Sequence, residues 1–200
     1  MTIKVVFFDL GGVLVRTEDM QPRTCLAASL GLTYEAIESL VFDSKSSLQA
    51  SLGAIDEYQH WQQVVRSLDL PETEIQRVRT EFFAGDRIDH DLLDLMRSLR
   101  KTLRVGLISN AWSGLREWIT RQKFADLFDD MLISAELGFM KPDGRIYRTA
   151  LERLQVLPAE SVFLDDSLKN VTGARQAGMH AIHFVQPGLA VAELKALLAG

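Results

Sequence analysis

Cysteine is almost absent from the chain. Cys25 stands alone in 200 residues, so no disulfide can close within it and no thiolate cluster can hold a metal. A reducing, cytoplasmic setting is the expectation. Basic residues are in the minority, 22 Lys and Arg against 27 Asp and Glu. The net charge of −5 removes the broad positive field on which nonspecific nucleic-acid binding depends. No run approaches the roughly 20 apolar residues of a membrane-spanning helix. The short apolar run after Lys4 ends at Asp9 with no small-residue cleavage site behind it, so it reads as a core strand and not as a leader. Neither nucleic acid nor membrane is an expected partner. Internal repeats, low-complexity tracts and long charge runs are also missing.

What is present is enough apolar material for a core. At 47% hydrophobic residues, the length suggests one domain, or one domain with an inserted piece. From about residue 103 strand-like and helix-like runs alternate. Leu103 to Ile108, Met131 to Ile133, Ser161 to Leu164 and His180 to Phe184 read as strands; Leu115 to Lys123, Gly144 to Leu154 and Leu168 to Ala177 read as helices. With Val5 to Phe8 as the first strand, the repetition predicts an α/β, Rossmann-like parallel sheet whose ligand site lies at the carboxyl ends of the strands. Between about Arg16 and Asp86 no good strand is seen. Amphipathic stretches at Arg23 to Leu30, Glu35 to Phe42, Ile55 to Leu68 and Glu72 to Phe83 predict an all-helical insert. The expected division is therefore a core of residues 1–15 and 87–200 and a helical cap of residues 16–86. Its two connections leave from beside the Asp9 strand, as in a mobile lid. The alternative is that these helices complete a single core.

Four clusters can carry chemistry: Asp9-Leu10-Gly11-Gly12, Ser109-Asn110, Lys141-Pro142-Asp143, and Asp165-Asp166 with Asn170 nearby. Taken singly, each has an ordinary structural use as a helix cap or turn. Their succession on βα units gathers them at one edge of the sheet. A carboxylate attacking a phosphate dianion meets repulsion, which a divalent cation and a lysine can absorb. Asp166 offers a hard oxygen ligand suited to Mg²⁺. Asp165 could bind the metal through water or orient Lys141.

These motifs resemble those of the haloacid dehalogenase superfamily of hydrolases, most of which are phosphatases. Phe7 to Val15 is similar to its first motif, Leu107 to Asn110 to its second, Gly138 to Tyr147 to its third, and Val162 to Asn170 to its fourth. The Gly173-Ala174-Arg175-Gln176-Ala177-Gly178 run continues the fourth, and residues 16–86 resemble the helical cap of some members. The resemblance implies that Asp9 is the nucleophile of an aspartyl-phosphate mechanism on a small phosphorylated substrate. It implies Lys141 as the cation beside Asp9 and the phosphate, and Ser109 with the backbone N–H of Asn110 as a phosphate cradle. It also implies Mg²⁺ held by Asp9, the Gly11 carbonyl, Asp166 and Asp165.

Gly11 departs from the family's usual Asp-x-Asp. Glycine keeps a backbone carbonyl and loses the carboxylate that protonates the leaving group, a loss of about 10²- to 10⁴-fold for a positioned acid–base. A leaving group of low pKa needs that help least, which favours a glycosyl, acyl or aryl phosphate. A branch of bacterial sugar phosphatases acting on glucose 1-phosphate is similar in having this glycine and the doubled Asp. Glu18 and Asp19 could serve as a substitute acid, though acids are common in a first helical turn. Arg16, Arg23, His60, Trp61 and Trp112 could face substrate or simply pack, and His180 and His183 read as structural. Two rival chemistries stay open: a 2-haloacid dehalogenase, against which the paired Asp165 and Asp166 argue, and a phosphate-binding or regulatory protein impaired at Gly11.

Overall fold

The computed structural model describes residues 2–200; Met1, the first residue of the expected core, lies outside the described residues. Seven strands follow one another among them: β1 (Val5–Phe8), β2 (Val15–Thr17), β3 (Asp86–Ile88), β4 (Arg104–Ser109), β5 (Asp130–Ile133), β6 (Ser161–Asp165) and β7 (His180–His183). Five form one parallel sheet in the order β5-β4-β1-β6-β7, as the βα alternation predicts. The order reverses at β1, so the ligand crevice of such a sheet opens at the carboxyl end of β1, between β4 and β6.

β1 takes the centre because its four residues, Val-Val-Phe-Phe, are β-formers that can be buried on both faces, and none has exposed surface. The helices that follow β2 are α1 (Gln21–Ser29), α2 (Tyr34–Glu38), α3 (Lys45–Ser51), α4 (Glu57–Ser67) and α5 (Ile75–Phe83). After β3 come α6 (His90–Leu99), α7 (Leu115–Arg121), α8 (Ser134–Leu137), α9 (Gly144–Arg153), α10 (Leu168–Gln176) and α11 (Pro187–Ala199). Val6 and Phe8 pack on the layer of α6, α7 and α11, whereas Val5 and Phe7 pack on α9 and α10. Each such side chain contributes roughly 1.5–3 kcal/mol through burial.

The helical stretch between β2 and β3 has an apolar cluster of its own, centred on Leu26, Ile37, Trp61, Val64, Val78 and Phe82. Its helix starts are written in the sequence. Thr33, Ser44 and Asp56 each accept a hydrogen bond from the backbone N–H three residues on, and Asp56 with Gln59 completes a capping box. Among the described residues no single helix is long and apolar enough to cross a membrane.

The expectation that residues 16–86 hold no strand is corrected at both ends. β2 and β3 pair antiparallel, Val15 with Ile88 and Thr17 with Asp86, and the Thr17 hydroxyl donates to Asp86 Oδ1 at 2.7 Å. Their sequences, Val-Arg-Thr and Asp-Arg-Ile, are too short and too polar to alternate visibly; they are strands because the chain leaves and returns side by side. The helix expected over Glu35 to Phe42 is α2 followed by a π-helical turn, Ser39–Asp43. Arg23 does not face substrate. Its guanidinium is buried and donates to Glu38 at 2.6 Å, to Asp86 at 3.1 Å and to the Phe82 carbonyl at 3.1 Å. Helices α3, α6, α8 and α11 lie beyond the expected set, although Asp89, which caps α6 by accepting from Leu92 N, is an ordinary start signal.

Candidate active site

Strand register explains why distant carboxylates meet. Phe8 lies opposite Leu164 across β1 and β6, so the next residues, Asp9 and Asp165, leave the sheet side by side, and Asp9 N donates to the Leu164 carbonyl at 2.9 Å. Both are buried: Asp9 is 7% exposed and Asp165 has no exposed surface. Lys141 enters between them from the loop after α8. Its Nζ is 2.8 Å from Asp9 Oδ2 and 2.6 Å from Asp165 Oδ2. Asp166 completes the group, since carboxylate oxygens of Asp9, Asp165 and Asp166 lie within 4.8 Å of one another.

The two neighbouring acids differ in what they have left to offer. Asp165 Oδ1 accepts from Ser167 N at 2.8 Å and from Asn170 Nδ2 at 3.1 Å, while Oδ2 holds Lys141. Both oxygens are thus engaged, one of them by the lysine. Asp166 is exposed and remains available as a metal ligand. Burial pushes the Asp9 carboxyl up to about 7 against the opposing pull of the Lys141 ammonium. Burial and the adjacent Asp165 raise the Asp166 carboxyl as well.

Three carboxylates facing one ammonium leave two negative charges when all are ionised. Hard oxygen donors, excess negative charge and raised carboxyl pKa values fit a divalent cation such as Mg²⁺. Asp9 and Asp166 would hold it with the Gly11 carbonyl.

Gly12 is what allows Asp166 to come so close. It adopts φ +74°, and a Cβ built there would fall 2.1 Å from Asp166 Oδ2. Gly11 is the opposite case: nothing lies within 4 Å of the Cβ position, so its lack of a carboxylate is chemical and not steric. Gly173 brings α10 against the lysine loop, with Pro142 Cβ only 2.9 Å from its Cβ position, and Tyr147 ties the same region by donating to the Asn170 carbonyl at 2.8 Å.

Ser109, 3% exposed, ends β4, and Asn110 follows it. Asn110 does something the sequence did not disclose. Its Nδ2 donates to the Lys141 carbonyl at 3.0 Å and its Oδ1 accepts from Lys141 N at 2.8 Å, leaving only its own backbone for a phosphate cradle. Ser134, also unmarked in the sequence, fixes the same loop by accepting from Ala111 N at 3.0 Å. His183 reaches the rim, where Nε2 donates to the Asp166 carbonyl at 2.8 Å; the one signal was its place at the end of a strand.

The helical stretch meets this loop directly. Trp112 packs into its cluster, with ring centroids 4.4 Å from His60 and 5.9 Å from Trp61. Ser113 Oγ accepts from Glu57 N at 3.1 Å. His60 and Trp61 are core residues there, 0% and 1% exposed, and do not face the carboxylates. Burial pushes the His60 imidazole down to about 4. Arg16 is held by Asp89 at 2.7 Å and also meets Glu18 at 3.3 Å.

Comparison with known proteins agrees with this geometry. The profile of a family described as haloacid dehalogenase-like hydrolase matches residues 3–178. A sesquiterpene phosphatase of Aspergillus oryzae is 27% identical over 98% of this chain and 97% of its own length. A glyceraldehyde 3-phosphate phosphatase of Pyrococcus furiosus is 27% identical over 91% of this chain and 80% of its own. A HAD family enzyme of Bacteroides thetaiotaomicron, crystallised as a magnesium complex, superposes with a TM-score of 0.74 at 25% identity, covering 90% of this chain and 92% of the other.

Proposed function

Because the chain belongs to the haloacid dehalogenase-like hydrolases, we propose that it is a Mg²⁺-dependent phosphatase that carries the phosphoryl group on Asp9. The observation that carries the reading is Lys141 Nζ held between Asp9 and Asp165, with Asp166 alongside. Phosphatase names among the full-length relatives support it. We take residues 16–86 as a helical cap on a core of residues 1–15 and 87–200, with the β2–β3 ribbon as its hinge, and a small phosphorylated molecule of a reducing cytoplasm as substrate.

Asp9 attacks phosphorus while the P–O bond to the leaving group breaks, and water then cleaves the acyl phosphate, returning Asp9 and releasing inorganic phosphate. The Lys141 ammonium draws charge from the equatorial oxygens, as hydrogen bonds from Ser109 Oγ and Asn110 N do at the head of the β4 loop. Bound Mg²⁺, on Asp9, Asp166 and the Gly11 carbonyl, would screen the repulsion between carboxylate and phosphate. Asp165 keeps Lys141 aimed.

Gly11 shapes the substrate. With no carboxylate there to protonate the departing oxygen, a stable leaving anion is needed, as in glycosyl 1-phosphates, acyl phosphates and aryl phosphates. Gly11 is also the observation that favours a second reading, a phosphate-binding protein of little turnover. Phosphate release from acetyl phosphate, p-nitrophenyl phosphate, glucose 1-phosphate and glucose 6-phosphate, with Mg²⁺ or with EDTA, tests both. The expected result is Mg²⁺-dependent release that disappears in Asp9→Asn and is slowest on glucose 6-phosphate. No release from any of them by folded protein selects the second reading, and halide release from a 2-haloacid in EDTA overturns both.

A further inference from the structure

The phosphate end of the site is built; the organic end is indicated by three rings. Phe42 comes from the π-helical turn, Phe83 is the last residue of α5, and Trp112 stands two residues beyond Asn110, within about 7 Å along an extended chain. Phe42 stacks on Trp112 at 28° with centroids 6.1 Å apart and meets Phe83 edge-on at 6.3 Å. Although so engaged, Phe42 keeps 46% of its surface exposed, while Phe82 behind it has none. A π-helical turn is an uncommon conformation that concentrates at functional sites, and here it presents an apolar ring to the seam between helices and phosphate loop. Of the polar groups around the rings, His60 Nε2 and Trp61 Nε1 are buried without a partner, and others are engaged with one another. Ser46 Oγ is bound to His60 Nδ1 at 2.9 Å, Glu57 to Arg79 at 2.8 Å, and Arg23 to Glu38 and Asp86.

We propose that this aromatic seam seats the organic half of the substrate and that the substrate is an aryl phosphate, the phosphate ester of a phenol. The inference rests on the phosphatase reading and narrows it by two independent requirements. Gly11 requires a leaving group stable as an anion, and the rings require a flat, apolar one. A phenol, of pKa about 10, meets both. A sugar meets the first but is neither flat nor apolar; an alkyl or prenyl alcohol is apolar but fails the first. Asp9 attacks phosphorus, the P–O bond to the ring breaks with its electron pair going to the phenolate, and the phenolate takes a proton from water. A second water then opens the acyl phosphate, so that ester and water become phenol and inorganic phosphate.

The test compares kcat/KM for 2-naphthyl phosphate, glucose 1-phosphate, farnesyl phosphate and acetyl phosphate with Mg²⁺, in the wild type and in Phe42→Ala and Phe42→Trp. The expected result is that 2-naphthyl phosphate exceeds both glucose 1-phosphate and farnesyl phosphate by about tenfold or more. Its ratio to acetyl phosphate falls roughly fivefold in Phe42→Ala and recovers in Phe42→Trp. Equal or better turnover of the sugar or prenyl ester overturns the inference, as does an unchanged ratio in Phe42→Ala. If none of the four phosphates is hydrolysed, the phosphatase reading fails and takes this inference with it; failure of the ordering alone, with phosphate still released, removes only the inference.

Discussion

Lys141 Nζ lies 2.6 Å from Asp165 Oδ2, closer than the 2.8 Å that separates it from Asp9 Oδ2, and Asp165 is the acid with no exposed surface. The lysine is thus anchored by a carboxylate that is wholly buried. Replacing Asp165 by Asn leaves a buried ammonium with half of its compensation, a change that costs about 3 kcal/mol when a buried pair is broken. Urea unfolding of Asp165→Asn should show that loss. Its kcat should fall more than its KM rises, because the lysine that serves the transition state has lost its aim.

Adjacent glycines should respond in opposite ways. Gly11→Asp places a carboxylate in open space, so the variant should fold normally and turn over glucose 6-phosphate faster than the wild type, by about 10²-fold if the new acid is well placed. Gly12→Ala puts a methyl group onto Asp166 at a positive φ and should lose about 1–3 kcal/mol of stability together with Mg²⁺ affinity. Thermal unfolding with and without Mg²⁺, beside phosphate release, separates the two.

Under the proposed function, a proton and Mg²⁺ would compete at Asp9. Its folded pKa, about 7, is above the unfolded value of 3.8, so in metal-free protein this group favours folding at low pH and loses that contribution as pH rises through 7. Mg²⁺ affinity should therefore increase from pH 6 to pH 8, and added Mg²⁺ should raise the melting temperature more at pH 8 than at pH 6. In Asp9→Asn the pH dependence of the Mg²⁺-induced shift should largely disappear.

His60 works in the other direction. Its folded pKa, about 4, is below the unfolded 6.5, so the unfolded chain binds the proton first as pH falls. Stability contributed by the neutral ring is present above 6.5 and is lost between 6.5 and 4, by up to about 3 kcal/mol. Because the Asp9 trend runs oppositely in that range, the measurement is a difference: the gap between wild type and His60→Gln should shrink steadily from pH 7 to pH 4.

The sequence carried the sheet and three of the four clusters because those three lie at strand ends marked by strong local signals, such as Val-Val-Phe-Phe before Asp9 and Val-Phe-Leu before Asp165, whereas the Lys141 cluster follows α8. Parallel register does the rest, which is why Asp9, Ser109, Lys141 and Asp165 could be grouped without coordinates. Pairings set by tertiary contact were out of reach. β2 and β3 are strands only because each has the other; Arg23 could face substrate or pack, and its enclosure by Glu38 and Asp86 is not visible in sequence; and Trp112 belongs by sequence to the loop after β4 but by packing to the helices. Gly11 and Gly12 look alike on paper. Only the position of Asp166 distinguishes the one that has room for a side chain from the one that does not.

The side chain of Asn110 meets the backbone of Lys141 with one donor and one acceptor, just as a neighbouring strand would. One residue of the loop after β4 thereby extends the sheet's ladder sideways by a single rung. The two bonds tie this loop to the Lys141 backbone, while the carboxylates of Asp9 and Asp165 hold its ammonium. Aspartate at 110 would keep the acceptor, lose the donor and set a further negative charge beside the ammonium. Asparagine is the side chain of that size that supplies both halves of the rung without charge.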